Sequence, residues 1–148
     1  MNMNTQKVQV LLVEDNPTDV MIAKEGLFSA RVLNKLHVAE DGIEAMEFLH
    51  QRGEYADAPR PDLILLDLNM PRKNGHEVLA EIKANDSLKH IPVVILTTST
   101  SEEDVVTAYG HHANCYISKP VDFNDFSNVV RTIQDFWFYV VTLPPEQK

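Results

Sequence analysis

Cysteine is almost absent: Cys115 is the single cysteine among 148 residues. An internal disulfide is therefore excluded, and nothing near Cys115 has the spacing of a metal cluster. A lone thiol of this kind reads as a small buried residue rather than a nucleophile. Basic residues are scarce as well: 13 Lys and Arg stand against 22 Asp and Glu, for a net charge of −9. A nucleic-acid surface needs clustered cations to neutralise phosphates, and an anionic membrane surface has the same need, so neither partner is expected. No apolar run approaches the roughly 20 residues that span a bilayer. The segment from Met1 to Lys7 is polar and lacks the apolar stretch of a signal peptide. The expected compartment is the cytoplasm. The six histidines (His37, His50, His76, His90, His111 and His112) lack transition-metal spacing and read as surface residues. His111 and His112 are neighbours, and adjacent helical positions point apart.

What is present is an ordinary globular composition, 44% hydrophobic and 24% charged, in a length that suits one domain. Strand and helix patterns alternate. Val10-Leu11-Leu12-Val13 is a short apolar run, as expected of a strand buried on both faces. Asn16-Pro17 then caps and starts a helix with the stripe Val20, Ala23, Leu27. A second strand is expected over Lys35 to Ala39, and a helix from Gly42 with Ile43, Met46 and Leu49 facing the core. Gln51 to Pro61, with Gly53, Pro59 and Pro61, reads as a long loop. Leu63-Ile64-Leu65-Leu66 is the third and most apolar strand. A loop over Met70 to Gly75 and a helix marked by Val78, Leu79 and Ile82 come after it. Val93 to Thr97 gives strand four, a helix runs from about Ser101, and Tyr116-Ile117-Ser118 gives strand five. The last helix starts near Asp122 or Asn124, carries Phe126, Val129, Val130, Ile133, Trp137 and Val140, and stops at Pro144-Pro145. Strict alternation of five strands and five helices predicts an α/β fold with a parallel sheet. No internal repeat, low-complexity segment or second domain is visible.

The chemistry gathers at the strand ends. Strand one ends in Glu14-Asp15, strand three in Asp67, strand four in Thr97, and strand five leads into Lys119. A parallel sheet brings these ends to one edge, where ligands of open α/β sheets bind. Taken singly the residues are ordinary: Glu14-Asp15 fits an exposed turn with a helix cap, Thr97 a strand former, Lys119 a surface lysine. Asp67 is harder to set aside, because a carboxylate ending a buried strand is costly without a partner. Together, three carboxylates, a hydroxyl and an ammonium would share one pocket. Crowded carboxylates repel, and a divalent cation relieves the repulsion. Carboxylate and carbonyl oxygens with waters suit magnesium. Aspartate can be a nucleophile toward phosphorus, and Lys119 and Thr97 can stabilise the phosphoryl oxygens.

Four segments resemble the receiver domain of two-component response regulators. They are Leu12-Val13-Glu14-Asp15-Asn16, Leu65-Leu66-Asp67-Leu68-Asn69-Met70-Pro71 with Gly75, Ile95-Leu96-Thr97, and Tyr116-Ile117-Ser118-Lys119-Pro120. They span about Val8 to Gln134 in the right order. The resemblance implies a flavodoxin-like doubly wound sheet of strand order 2-1-3-4-5. It implies that Asp67 is the phosphoacceptor, that Asp15 ligates Mg2+ directly and Glu14 through a water, and that Asn69 offers its backbone carbonyl. Thr97 and Lys119 would contact the phosphoryl group, Tyr116 would be the aromatic switch, and the Lys119-Pro120 bond would be cis. Thr98 departs from the family, which more often has Ala or Gly there; the larger side chain is expected to slow phosphoryl traffic or water entry. The Gln51–Pro61 loop, Thr97-Thr98-Ser99, Pro120-Val121-Asp122-Phe123 and Asp135-Phe136-Trp137 also resemble the small response regulators paired with bacterial phytochromes. That implies a phytochrome-type histidine kinase as donor.

The expected organisation is a polar tail at 1–7, a receiver domain at 8–141 with its last helix extended over about 122–141, and a tail at 142–148. With no appended output domain, signalling would run through protein contacts or a downstream phosphotransfer protein, without turnover of an external substrate. Phe136, Trp137 and Val140 extend the core stripe, whereas Phe138, Tyr139 and Val141 fall off it. Such a patch suggests a partner surface, here a homodimer through the last helix and its neighbouring strand and helix. Three rivals remain: a receiver-fold binding module that works without phosphate, an aspartyl-nucleophile phosphatase, and a flavin carrier. Phosphatases of that kind place a second acid two residues after the nucleophile, where this chain has Asn69. The acidic first loop lacks the hydroxyl-rich cradle of a flavin phosphate.

Overall fold

The computed structural model describes residues 7–28 and 33–145. Strands β1 (Val8–Val13), β2 (Asn34–Ala39), β3 (Leu63–Leu66), β4 (Val93–Thr97) and β5 (Cys115–Ser118) alternate with helices α1 (Pro17–Phe28), α2 (Gly42–Leu49), α3 (Gly75–Ala84), α4 (Glu102–Gly110) and α5 (Phe123–Gln134). All pairings are parallel and the strand order is β2-β1-β3-β4-β5, as expected. The reversal of order falls between β1 and β3, so their carboxyl ends open a crevice.

Side-chain alternation along the strands splits the core in two. Leu11, Val13, Ile64, Leu66 and Ile95 pack under α2, α3 and α4. Val10, Leu12, Leu63, Leu65, Val94 and Leu96 pack under α1 and α5. Burial on both faces explains why the central strands read as unbroken apolar runs. The helix starts reflect local chemistry. Asn16 Oδ1 accepts from the backbone N–H of Thr18 (2.9 Å) and Asp19 (3.2 Å). Asn74 and Glu77 form a reciprocal capping box on α3, and Asp122 caps α5.

Several expectations are corrected. Ile43 is 43% exposed, while Met46 and Leu49 are buried. The buried stripe of α2 is Gly42, Ala45, Met46 and Leu49, and Ile43 falls to the side of it on the helix. The Gln51–Pro61 loop contains a 3-10 turn, Gly53–Tyr55. Tyr55 packs on the core and its hydroxyl donates to Glu44, which fastens the loop to α2. The last helix does not continue as a regular α-helix: Asp135–Val140 is π-helical and closes with Val141 N–H donating to Phe136 O at 2.9 Å. A π-turn inserts a residue into the repeat and rotates the helical positions beyond it. Trp137 therefore stays buried, Phe136 is 49% exposed, and Phe138 and Val141 pack inward with Leu143. The side chains of Tyr139 and Val140, and the tails at 1–6 and 146–148, lie outside the described residues. His37, His50 and His76 are half-buried and hydrogen-bonded, not free surface residues. Cys115 is partly buried against the α5 side, and burial pushes its thiol up from the ordinary range. The Lys119-Pro120 bond is trans, since the described chain contains no cis peptide; trans is the lower-energy form of an X–Pro bond by about 0.5–1 kcal/mol.

Candidate functional site

The sheet ladder carries the site residues beyond the strand ends. Asp67 N–H donates to Val13 O (3.1 Å), Glu14 N–H to Ala39 O (2.9 Å), and Lys119 N–H to Thr97 O (2.7 Å). Each residue just past a strand is thus fixed by its neighbour. Glu14, Asp67, Thr97 and Lys119 are all buried, and Asp15 is exposed at the rim.

Glu14, Asp15 and Asp67 present carboxylate oxygens within 4.8 Å of one another. Lys119 is the counter-charge. Its Nζ donates to Glu14 Oε1, to Asp67 Oδ2 at 3.1 Å and to Asp19 Oδ2 at 2.9 Å. Burial pushes the Glu14 carboxyl up to about 7; the Lys119 hydrogen bond opposes this and the charge of Asp67 reinforces it. Burial would lower Lys119, but its hydrogen bonds to Glu14 and Asp19 and the charges of Asp67 and Glu14 outweigh that and raise it. One ammonium holding three carboxylates leaves a net negative pocket. Hard oxygen donors with surplus negative charge fit a divalent cation such as magnesium, calcium or manganese.

Asn69 is exposed and its backbone N–H donates to Asp67 Oδ1 at 3.2 Å, which orients that carboxylate. The Thr97 side chain is fully buried, and its hydroxyl has no hydrogen-bond partner among the described residues. A buried, unpaired hydroxyl at such a place is a donor in want of an acceptor. Tyr116 is half-buried, packs against the α3–α4 side of the core, and donates its hydroxyl to Ser99 O at 3.0 Å. Thr98 is exposed.

Two features were not read from the sequence. Asp19 belongs to the pocket; it lies in the first turn of α1, and a helix that comes directly after a strand necessarily starts at the carboxyl edge. That position was the available signal. The second is the β3–α3 loop. Arg72 adopts φ 64° and its Nε donates to Asp41 Oδ2 at 2.9 Å, and Lys73 pairs with Glu81. These ties hold the chain just after Asp67.

A doubly wound five-stranded sheet with this carboxylate–lysine–hydroxyl set at its carboxyl edge defines a receiver. The sequence profile of the response regulator receiver domain matches residues 10–131, and the chain belongs to that family. It is 50% identical over 141 residues to response regulator Rcp1 of Synechocystis sp., covering 95% of each chain. The solved structure of the phosphorylated cyanobacterial phytochrome response regulator RcpA superposes with TM-score 0.92 at 47% identity, over 95% of this chain and 100% of that one. The Mn2+-bound form of Rcp1 superposes with TM-score 0.91 at 49% identity, over 93% and 99%. No helix among the described residues is long and apolar enough to cross a membrane.

Proposed function

We propose that this response regulator takes a phosphoryl group from a phytochrome-type histidine kinase onto Asp67, with Mg2+, and signals through protein contacts. The observation that carries the reading is Asp67 itself. It is buried at the end of β3, within reach of two further carboxylates and 3.1 Å from the Lys119 ammonium. RcpA and Rcp1, the first as a phosphorylated phytochrome response regulator and the second as a Mn2+-bound one, support the donor class and the cation.

An Asp67 oxygen bonds to phosphorus as the phosphorus–nitrogen bond of the phosphohistidine breaks, and the imidazole leaves with the bonding pair. Lys119 exchanges a carboxylate contact for a phosphoryl oxygen, and the Thr97 hydroxyl donates to another. The Asn69 N–H keeps the Asp67 carboxylate oriented. Glu14, Asp15, Asp67 and the Asn69 carbonyl are the groups that would hold the cation, which supplies positive charge against the phosphoryl oxygens. Hydrolysis later breaks the phosphorus–oxygen bond, restores the carboxylate and releases phosphate, with no external substrate turned over. Thr98 stands beside Thr97, exposed, and slows phosphoryl traffic or water entry. Tyr116 responds to movement of the Thr97 loop. Residues 8–141 form the receiver unit, and a downstream phosphotransfer protein is a further acceptor.

We also propose that the chain pairs with a second copy of itself through α5 and its neighbours. An apolar groove there is lined by Cys115, Ile117, Val129, Ile133, Phe136 and Trp137.

The test is intact mass after incubation with acetyl phosphate and Mg2+. The wild type is expected to gain one phosphoryl group, about 80 Da, and Asp67→Asn none. An unmodified wild type would leave the phosphate-independent binding module as the reading.

A further inference from the structure

Two residues beyond Thr97, Ser99 is tied to α4. Its Oγ donates to Asp104 Oδ2 at 2.6 Å and accepts from Ser101 N–H at 3.2 Å. Asp104 N–H donates in turn to Ser101 Oγ at 3.2 Å, the cap of α4. The second carboxylate oxygen, Asp104 Oδ1, meets His76 Nε2 at 3.0 Å. His76 is the second residue of α3 and comes after Gly75, whose N–H donates to Leu68 O at 2.9 Å, one residue past Asp67. The chain of contacts therefore starts beside Asp67 and ends beside Thr97.

The histidine is oriented. Its Nδ1 is buried and has no hydrogen-bond partner among the described residues. A proton there would be a buried donor without an acceptor, so the tautomer that fits carries it on Nε2, aimed at Asp104. The Ser99 hydrogen bond, then the His76 one, hold the Asp104 carboxyl below the ordinary range, so it stays an acceptor for both. The Ser99 carbonyl also takes the Tyr116 hydroxyl at 3.0 Å. The loop after β4 is thus held from α3, α4 and β5 at once.

We propose that His76 is a positioning residue for phosphoryl transfer: through Asp104 and Ser99 it ties the loop after Thr97 to the helix after Asp67, and so keeps the buried Thr97 hydroxyl ready for a phosphoryl oxygen. This rests on the reading of Asp67 as the phosphoacceptor. Without the His76 contact the loop keeps its ties to α4 and β5 but loses its link to the helix after Asp67, and the Thr97 donor is less firmly placed at each transfer.

The experiment compares wild type, His76→Ala and His76→Gln as full chains. One arm needs no phosphate: backbone amide exchange of residues 98–101 in the unloaded protein. The other measures loading from acetyl phosphate with Mg2+ over a range of donor concentrations. His76→Ala is expected to speed exchange of the Ser101 amide, which donates to Ser99 Oγ, about tenfold. It is expected to lower the maximal loading rate about fivefold while the donor concentration for half-maximal rate stays within about twofold. His76→Gln, whose amide N–H can reach the same carboxylate oxygen, is expected to restore both. Unchanged exchange, unchanged or faster loading in His76→Ala, or no rescue by glutamine overturns the proposal. Failure of the wild type to load overturns the Asp67 reading and the positioning role with it; the exchange arm then shows whether the tie itself exists.

Discussion

Gly75 lies against the backbone of Asp67. A Cβ at Gly75 would come within 2.6 Å of Leu68 Cα and closer still to the Asp67 carbonyl oxygen, while the Gly75 N–H donates to Leu68 O at 2.9 Å. The obstacles are main-chain atoms, which cannot swing aside like a side chain. The helix beyond the loop is thus docked directly on the chain that carries Asp67.

Gly75→Ala is therefore expected to displace the Asp67–Leu68 segment. Overpacking of this kind costs about 1–3 kcal/mol. A shift of the Asp67 carboxylate is also expected to lower phosphoryl loading, by about tenfold or more. Urea unfolding and intact mass against time with acetyl phosphate check the two effects. Normal stability with normal loading would mean that the loop yields freely.

Thr97→Val separates stability from function in the opposite sense. The position is fully buried and its hydroxyl lacks a partner among the described residues. An unsatisfied buried polar group costs about 1–3 kcal/mol, and valine fills nearly the same shape without it. The unloaded variant is expected to be more stable than wild type by about 1 kcal/mol, and its loading is expected to slow because a phosphoryl oxygen loses a donor. Paired denaturation and loading curves test this. Lower stability would show that the hydroxyl is satisfied in the unloaded protein.

The sheet and the pocket were legible because their signals are local. Short apolar runs such as Leu63–Leu66, bounded by turn residues, fit strands buried on both faces, and a polar residue that ends each run then falls at the shared edge. Glu14, Asp67, Thr97 and Lys119 were found this way. Asp19 was not, because it sits on a helix and its membership depends on where Lys119 reaches from β5, one hundred residues away in sequence. The Ser99–Asp104–His76 contacts join three elements and leave no periodic trace. At the far end, helical periodicity assigned Phe136 to the core and Phe138 outside it. The π-turn reversed both, because a 3.6-residue repeat no longer applies once the hydrogen bonds run from i to i+5.

Asp41 supplies a pH dependence outside the pocket. Its Oδ1 accepts from Glu44 N–H at 2.8 Å, capping α2, and its Oδ2 takes Arg72 Nε at 2.9 Å. Burial pushes the carboxyl up, but the Glu44 hydrogen bond and the Arg72 guanidinium together outweigh it and hold it below the ordinary range. A depressed folded value means the contribution is complete above the unfolded aspartate range, near about 4, and is lost as pH falls through the folded value. Asp41→Ala is expected to cost about 1–2 kcal/mol at neutral pH. The gap to wild type should narrow in acid, below the ordinary aspartate range, where Asp41 of the wild type takes up its proton. Urea unfolding at the two pH values measures it; a gap that widens in acid would reverse the sign.

The α5 groove makes the last test. Phe136 is 49% exposed and meets Trp137 edge-on, with ring centroids 5.6 Å apart at 88°. Trp137 is buried, so its truncation would open the core, at a cost of about 3–5 kcal/mol, and would confuse folding with association. Phe136 offers a cleaner change. An exposed aromatic at the lip of an apolar groove is the kind of anchor that dominates association energy. Phe136→Ser is expected to leave the unfolding midpoint close to that of wild type and to weaken self-association about tenfold or more. Sedimentation equilibrium over a concentration series, with and without acetyl phosphate, measures it. A wild type that stays monomeric in both conditions would reject pairing through this face and leave the groove free for a different protein.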